Sequence, residues 1–271
     1  DPAAGAAGAA HRGCGMTATD GRTCIFSPAG LSALRNFADR ATLFTFDLDG
    51  TLTPIIEEPS GIQIPGEVRD RMIRLCGLAS VAILTGRSRE DARPRLGFEP
   101  RFIVGNHGAE GIPGWEERER EFTEICRDWE SQLRDLLPVT GRSGIAIENK
   151  KSSLSIHYRK ATRRQAAHRD ILRAIERLNP APRRLPGKCV ENVLPQSALN
   201  KGEALLRIMV LAGASRAVFV GDDDTDEDVF RMRNERILGI RVGNGLSSHA
   251  AFFLSNQKKI SRLLDEMRGA I

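Results

Sequence analysis

A chain of 271 residues with 41% hydrophobic and 28% charged side chains can bury a full core, which excludes wholesale disorder and leaves room for one large domain with a smaller insert. The formal net charge of +5 permits an anionic partner, but the basic residues are dispersed and not interleaved with the few aromatics, so nucleic-acid binding is not expected. No apolar run approaches the roughly 20 residues of a membrane span, and the Ala/Gly-rich start lacks the basic and apolar segments of a signal peptide.

Residues 1–30 carry Gly, Ala and Thr without periodicity and are expected to form a poorly ordered arm, with order beginning near Leu31. Short apolar runs then alternate with amphipathic stretches. Ala41–Phe46, Val81–Leu84, Phe102–Val104, Ala217–Val220 and Ile237–Val242 read as buried strands, and Glu67–Cys76, Arg89–Leu96, Gly202–Leu211 and Thr225–Met232 as helices. Strand–helix alternation implies parallel strands joined by right-handed crossovers, hence an α/β, doubly wound, Rossmann-type parallel sheet. Residues 111–194 break the rhythm with a charged helix Glu116–Leu136 ended by Pro138, strand-like Gly144–Glu148 and Ser153–Tyr158, and a helix Arg163–Leu178. A further strand falls within Gly187–Val193. This pattern predicts a smaller α+β cap, 111–194, inserted into a core formed by 31–110 and 195–271. The cysteines, Cys14, Cys24, Cys76, Cys126 and Cys189, are far apart without a C-x-x-C pair. They read as reduced thiols, in keeping with a cytoplasmic protein.

The sharpest feature is Leu43-Phe44-Thr45-Phe46-Asp47-Leu48-Asp49-Gly50-Thr51. In an extended chain residues i and i+2 face the same side, so Asp47 and Asp49 converge at the carboxyl end of a buried strand, where open α/β sheets bind ligands. Two neighbouring carboxylates suit a pair in which one attacks and the other handles protons, or a shared cation. A second acidic run, Val220-Gly221-Asp222-Asp223-Asp224-Thr225-Asp226-Glu227-Asp228, also follows a buried strand. Neither register beginning at Asp222 or Asp224 supplies both the glycine and the terminal glutamate of a calcium loop, whereas oxygen-only ligands suit Mg²⁺. An acidic helix start stabilised by the helix dipole is the alternative. Thr85-Gly86-Arg87, at a strand-to-helix turn, offers a hydroxyl and backbone N–H groups to a phosphate, or a simple helix cap. Lys201 opens another helix and supplies either a phosphate counter-charge or an ordinary surface lysine.

Together these segments resemble the haloacid dehalogenase-like phosphatases: Asp47-x-Asp49-Gly-Thr, Thr85, Lys201 and Gly221-Asp222-Asp223 stand in the order of that superfamily's four motifs. Four stretches look like the trehalose-6-phosphate phosphatase family in particular. They are Gly221–Asp228, Leu84-Thr85-Gly86-Arg87, Gly105-Asn106-His107-Gly108-Ala109-Glu110 and Ile156-His157-Tyr158-Arg159. The family pattern after Glu191 has a basic residue before the proline, where this chain has Leu194-Pro195. The resemblance implies a phosphatase acting on trehalose 6-phosphate, with Asp47 as nucleophile, Asp49 as general acid and base, and Thr85 and Lys201 holding phosphate. It implies Mg²⁺ bound by Asp47, the Asp49 carbonyl, Asp222 and Asp223, with Asp226 in support. Gly86, Arg87, His107, Arg142, Glu148, Lys150, His157, Lys188 and Glu191 are the candidates for substrate binding. Sucrose phosphate or mannosylphosphoglycerate phosphatases share such a core, and a non-catalytic sugar-phosphate-binding domain is the alternative outside enzymes. The expected partner is a small sugar phosphate, with no nucleic acid or membrane, on a monomer or weak oligomer.

Overall fold

The computed structural model describes residues 21–55, 61, 63–137, 143–243 and 247–271. At its centre Leu43-Phe44-Thr45-Phe46 forms β2, with every residue buried. Seven parallel strands make one sheet: β1 (Thr23–Cys24), β2 (Leu43–Phe46), β3 (Val81–Leu84), β4 (Phe102–Val104), β9 (Ala217–Gly221), β10 (Ile237–Val242) and β11 (Phe252–Leu254), in the order β1-β11-β10-β9-β2-β3-β4. Alternate residues of β2 feed opposite sides, Phe44 and Phe46 one cluster and Leu43 the other, as the two-residue period of a strand requires. The helices α1 (Pro28–Phe37), α2 (Gly66–Cys76), α3 (Arg89–Leu96) and α8 (Ile260–Ala270) cover the first side. Helices α6 (Lys201–Ala212) and α7 (Glu227–Phe230) cover the second. Strands buried on both faces are continuously apolar for this reason.

The insert folds as a second, four-stranded antiparallel sheet, β5 (Ala146–Asn149), β6 (Leu154–His157), β7 (Arg183–Gly187) and β8 (Val190–Leu194), in the order β5-β6-β8-β7. Two helices, α4 (Glu116–Leu136) and α5 (Arg164–Ile175), pack on one face through Trp129, Leu133, Ile171, Leu154, Ile156 and Val193. The opposite face carries Glu148, Ser155, His157 and Asn192, as the strand register dictates. Leu194, where the family pattern is basic, is fully buried with Ala109, Phe122 and Ala198 beside the second crossing into the core.

Three expectations change. Order begins before Leu31: β1 pairs with β11, and Ser27 caps α1 with Pro28 in its first turn. Ser-Pro is a strong helix start, hidden within a segment dominated by Gly and Ala. Cys24 is disulfide-bonded, so the reading of uniformly reduced thiols fails; Cys76, Cys126 and Cys189 are free. The helix expected over Thr225–Met232 is a 3₁₀ turn, Asp224–Asp226, leading into the four-residue α7. Strands β7 and β11 are additions to the expected set. Pro138 and Arg142 lie outside the described residues, among which no helix is long and apolar enough to cross a membrane.

Candidate active site

The carboxyl ends of β2 and β9 lie side by side, because Phe46 and Val220 are register partners and the Asp47 N–H donates to the Val220 carbonyl. The two acidic loops that follow therefore interlock. Gly50 has φ 86° and lies so close to the Asp222 carboxylate that a Cβ would collide with it, which makes glycine obligatory on both counts. The Thr51 hydroxyl donates to Asp222 Oδ1 at 2.9 Å. Asp47, Asp222 and Asp226 bring one carboxylate oxygen each within 4.8 Å of one another. Asn200 closes a capping box at the start of α6, which fixes Lys201 as its first residue. The Lys201 ammonium reaches Asp47 Oδ1 at 2.8 Å and Asp226 Oδ1 at 2.7 Å, and its side chain is 1% exposed.

Three carboxylates around one ammonium leave an excess of buried negative charge. Burial pushes Asp47 well above the usual carboxylate range, with Lys201 opposing and Asp226 and Asp222 adding to the rise. Burial, reinforced by Asp226, pushes Asp222 up to about 7. Lys201 is raised in turn, because Asp226 and Asp47 outweigh the effect of its burial. A site that disfavours its own ionised acids, and offers only oxygen, fits a hard divalent cation. The third carboxylate is that of Asp226. Asp223 turns away, and its Oδ1 accepts from the Asp224 N–H at the head of the 3₁₀ turn. Consecutive residues of a turn diverge, so the spacing of the acidic run could not distinguish the two.

Asp49 does not join the cluster. Arg87 grips both its oxygens, Nε to Oδ2 at 2.6 Å and Nη2 to Oδ1 at 2.7 Å. Thr85 is fully buried after β3; its hydroxyl accepts from the Arg87 N–H at 3.2 Å and its carbonyl from the His107 N–H at 2.9 Å. His107 lies in the left-handed region at φ 58° and packs its ring against Gly86, where any Cβ would strike the imidazole. Its Nδ1 is buried without a hydrogen-bond partner. Burial, aided by the charges of Lys201, Lys150 and Arg183, drives its pKa well below the ordinary 6.5, so the ring is neutral.

From the insert, Lys150 extends toward this cleft. Burial lowers its pKa, Glu148 opposes that change, and the charges of Arg87, Asp91 and Asp49 also act on it. Asn106 holds the turn that carries Lys150. It is fully buried, and its Nδ2 donates to Lys150 O at 3.0 Å and Glu110 Oε2 at 2.8 Å, while its Oδ1 accepts from Ser153 Oγ at 2.7 Å. Glu148 and His157 pair at 2.8 Å on the face without helices. Lys188 is exposed in the β7–β8 turn.

Glu191 is a correction. It faces the helices and is 2% exposed, with His168 Nε2 at 2.8 Å and Arg184 Nε at 3.3 Å. The polar residue of β8 on the open face is its neighbour Asn192, joined to Ser155 Oγ at 2.6 Å. Period-two alternation carried the signal: Val193 must point inward, so Glu191 does too. Asn106, which lies inside a recognised motif and holds the Lys150 turn, and Asn192, on the open face, are the residues that sequence reasoning passed over.

A family model described as trehalose-phosphatase matches residues 45–262. A protein of Oryza sativa subsp. japonica named "Probable trehalose-phosphate phosphatase 9" is 31% identical over 226 residues, covering 70% of this chain and 59% of that protein; the chain thus spans less than two thirds of that relative. One of Sinorhizobium fredii, "Probable trehalose-phosphate phosphatase", is 33% identical over 222 residues, covering 79% of this chain and 82% of its own length. Among solved structures, a trehalose-6-phosphate phosphatase related protein superposes with a TM-score of 0.65 at 26% identity, over 84% of this chain and 98% of that one. Because the match runs through both the parallel sheet and the insert, the chain belongs to the trehalose-phosphatase family.

Proposed function

We propose that this chain hydrolyses trehalose 6-phosphate to trehalose and phosphate, with Mg²⁺ as cofactor and an aspartyl-phosphate on Asp47 as intermediate. The observation that carries the reading is the buried constellation of Asp47, Lys201, Asp222 and Asp226 at the carboxyl edge of the sheet. Family membership and the names of the relatives support the substrate.

Asp47, Asp222 and Asp226 would hold the metal ion, together with the Asp49 carbonyl. When bound, Mg²⁺ neutralises charge so that a carboxylate and a phosphate, both anionic, can approach. Lys201 fixes Asp47 through Oδ1 and keeps a positive charge beside the point of attack. An Asp47 oxygen forms a bond to phosphorus as the bond from phosphorus to the sugar oxygen breaks, and that oxygen takes a proton from Asp49. Water then attacks phosphorus, gives its proton back to Asp49, and releases phosphate and the free Asp47 carboxylate. Each Asp49 oxygen accepts one bond from Arg87 and keeps a second lone pair that can carry the proton. The open face of the insert, with Glu148, His157, Lys150 and Asn192, supplies polar groups for sugar hydroxyls, which discriminate strongly because a missing hydroxyl leaves them unpaired.

The test is phosphate release from a panel of trehalose 6-phosphate, sucrose 6-phosphate, glucose 6-phosphate and mannosylphosphoglycerate, with and without EDTA. Preference for trehalose 6-phosphate, abolished by chelation and restored by Mg²⁺, is the expected result. Release from another member of the panel alone overturns the substrate, and indifference to EDTA overturns the metal.

A further inference from the structure

Asp91 has no place in the motifs read from the sequence, yet it stands directly behind the proton-handling pair. Ser88 caps α3 by accepting from the Asp91 N–H at 3.2 Å, which puts Asp91 in the first turn, four residues after Arg87. At that spacing side chains are neighbours. Asp91 Oδ2 accepts from Arg87 Nη1 at 2.6 Å, and Arg95, a further four residues on, donates to its Oδ1. The result is a row, Arg95, Asp91, Arg87, Asp49, that passes from the helix to the mouth of the site.

The geometry of the row has a consequence for Asp49. A guanidinium is planar and rigid, and its contacts through Nε and Nη2 to one carboxylate and Nη1 to another fix both its position and its plane. Arg87 is 12% exposed, so it has little room to find another pose. The direction in which Asp49 presents its oxygens to a departing sugar is therefore set by where Arg87 is anchored, and among the described residues Asp91 is the second carboxylate that holds it. The charge of Lys150, from the insert, also interacts with both carboxylates. We propose that Asp91 is a positioning residue for proton delivery, acting through the Arg87 guanidinium to aim the Asp49 carboxylate at the leaving oxygen. The inference rests on the phosphatase reading above and goes beyond it, because Asp91 lies outside the Asp47, Asp222 and Asp226 cluster and meets Asp49 through Arg87.

Proton delivery matters only for a leaving group that departs poorly without it, which gives a readout that a merely structural role does not move. Rapid-quench measurement of the first phosphoryl transfer separates that step from hydrolysis of the intermediate. In Asp91→Asn, transfer from trehalose 6-phosphate is expected to slow by roughly tenfold or more, a fraction of what general acids contribute. The burst of p-nitrophenolate from p-nitrophenyl phosphate, which leaves without a proton, is expected to stay within about twofold of wild type by the same reasoning. Arg87→Lys, which keeps the charge but loses the fork, is expected to slow transfer from trehalose 6-phosphate by a similar factor. Equal losses on both substrates in Asp91→Asn, or no loss with trehalose 6-phosphate in whichever variant folds, overturn the proposal. A wild-type enzyme that transfers phosphate from neither substrate sinks the phosphatase reading instead, so the two failures are distinguishable.

Discussion

The cleft at the sheet edge and the open face of the insert are built in opposite ways. In the cleft the charged groups interlock: Lys201 is buried between two aspartates, and Asp222 packs against Gly50 and Thr51. On the insert, Glu148 and His157 pair with their side chains about half exposed. The difference teaches where each kind of energy resides. Buried charges interact strongly and are costly when left without any partner, whereas exposed polar groups contribute little until a ligand desolvates them.

Breaking the cleft should separate chemistry from stability. Asp47→Asn is expected to lower turnover on the order of a thousandfold or more, since the nucleophile is gone. Its melting temperature should not fall, because burial already disfavours the ionised acid and Lys201 retains Asp226. A variant that keeps its rate removes Asp47 as nucleophile, and one that unfolds shows that Asp47 is structural. Lys201→Met is the converse. It leaves Asp47, Asp222 and Asp226 together without their ammonium, and should cost about 3–5 kcal/mol in denaturant unfolding. A cost near zero means that the lysine is not needed to hold the acids together.

The open face offers a smaller and sharper contrast between neighbours on one strand. Asn192→Ala should raise KM for trehalose 6-phosphate by roughly tenfold, the scale of one or two lost hydrogen bonds, and should lower the melting temperature only through the Ser155 hydroxyl it leaves without its acceptor. Glu191→Gln should do the reverse, loosening the contacts to His168 and Arg184 while leaving KM alone. Steady-state kinetics and thermal melts on the two variants decide the matter; if Glu191→Gln raises KM instead, the strand faces have been assigned the wrong way round.

The same contrast explains what could be read from the chain. The strands of the core are continuously apolar, and β3, β4 and β10 fall within the bounds expected. Asp47, Lys201 and Asp222 follow or precede such elements at fixed positions, which is why the chain itself points to their meeting at the sheet edge. Asp226 was harder, because choosing it over Asp223 depends on which turn of a 3₁₀ segment faces inward. Asp49 was placed by its spacing from Asp47, but its partner Arg87 lies 38 residues away and no local rule joins them. In the insert the strands are short and amphipathic, so a one-residue error in β8 exchanged Glu191 for Asn192. Ser27-Pro28 opened α1 inside a segment that composition alone marked as an arm.

His107 supplies the finest test of how dry the cleft is. Its folded pKa lies well below the 6.5 of the ordinary side chain, first through burial and then through Lys201, Lys150 and Arg183. Between those two values the unfolded chain binds a proton that the folded chain refuses, so unfolding takes up protons and stability falls as pH falls. The contribution is complete above 6.5 and is lost on acidification below it. Other groups titrate in the same range, Asp222 with the opposite sign, so the comparison must be between variants. Asn is the suitable replacement, since it tolerates the left-handed backbone at this position and does not titrate. Denaturant unfolding of wild type and His107→Asn at about pH 7.5 and about pH 5.5 should show the wild type losing ground relative to the variant at the lower pH. An unchanged difference would mean that the imidazole accepts its proton as readily in the fold as in water, and that the space between core and insert is open to solvent.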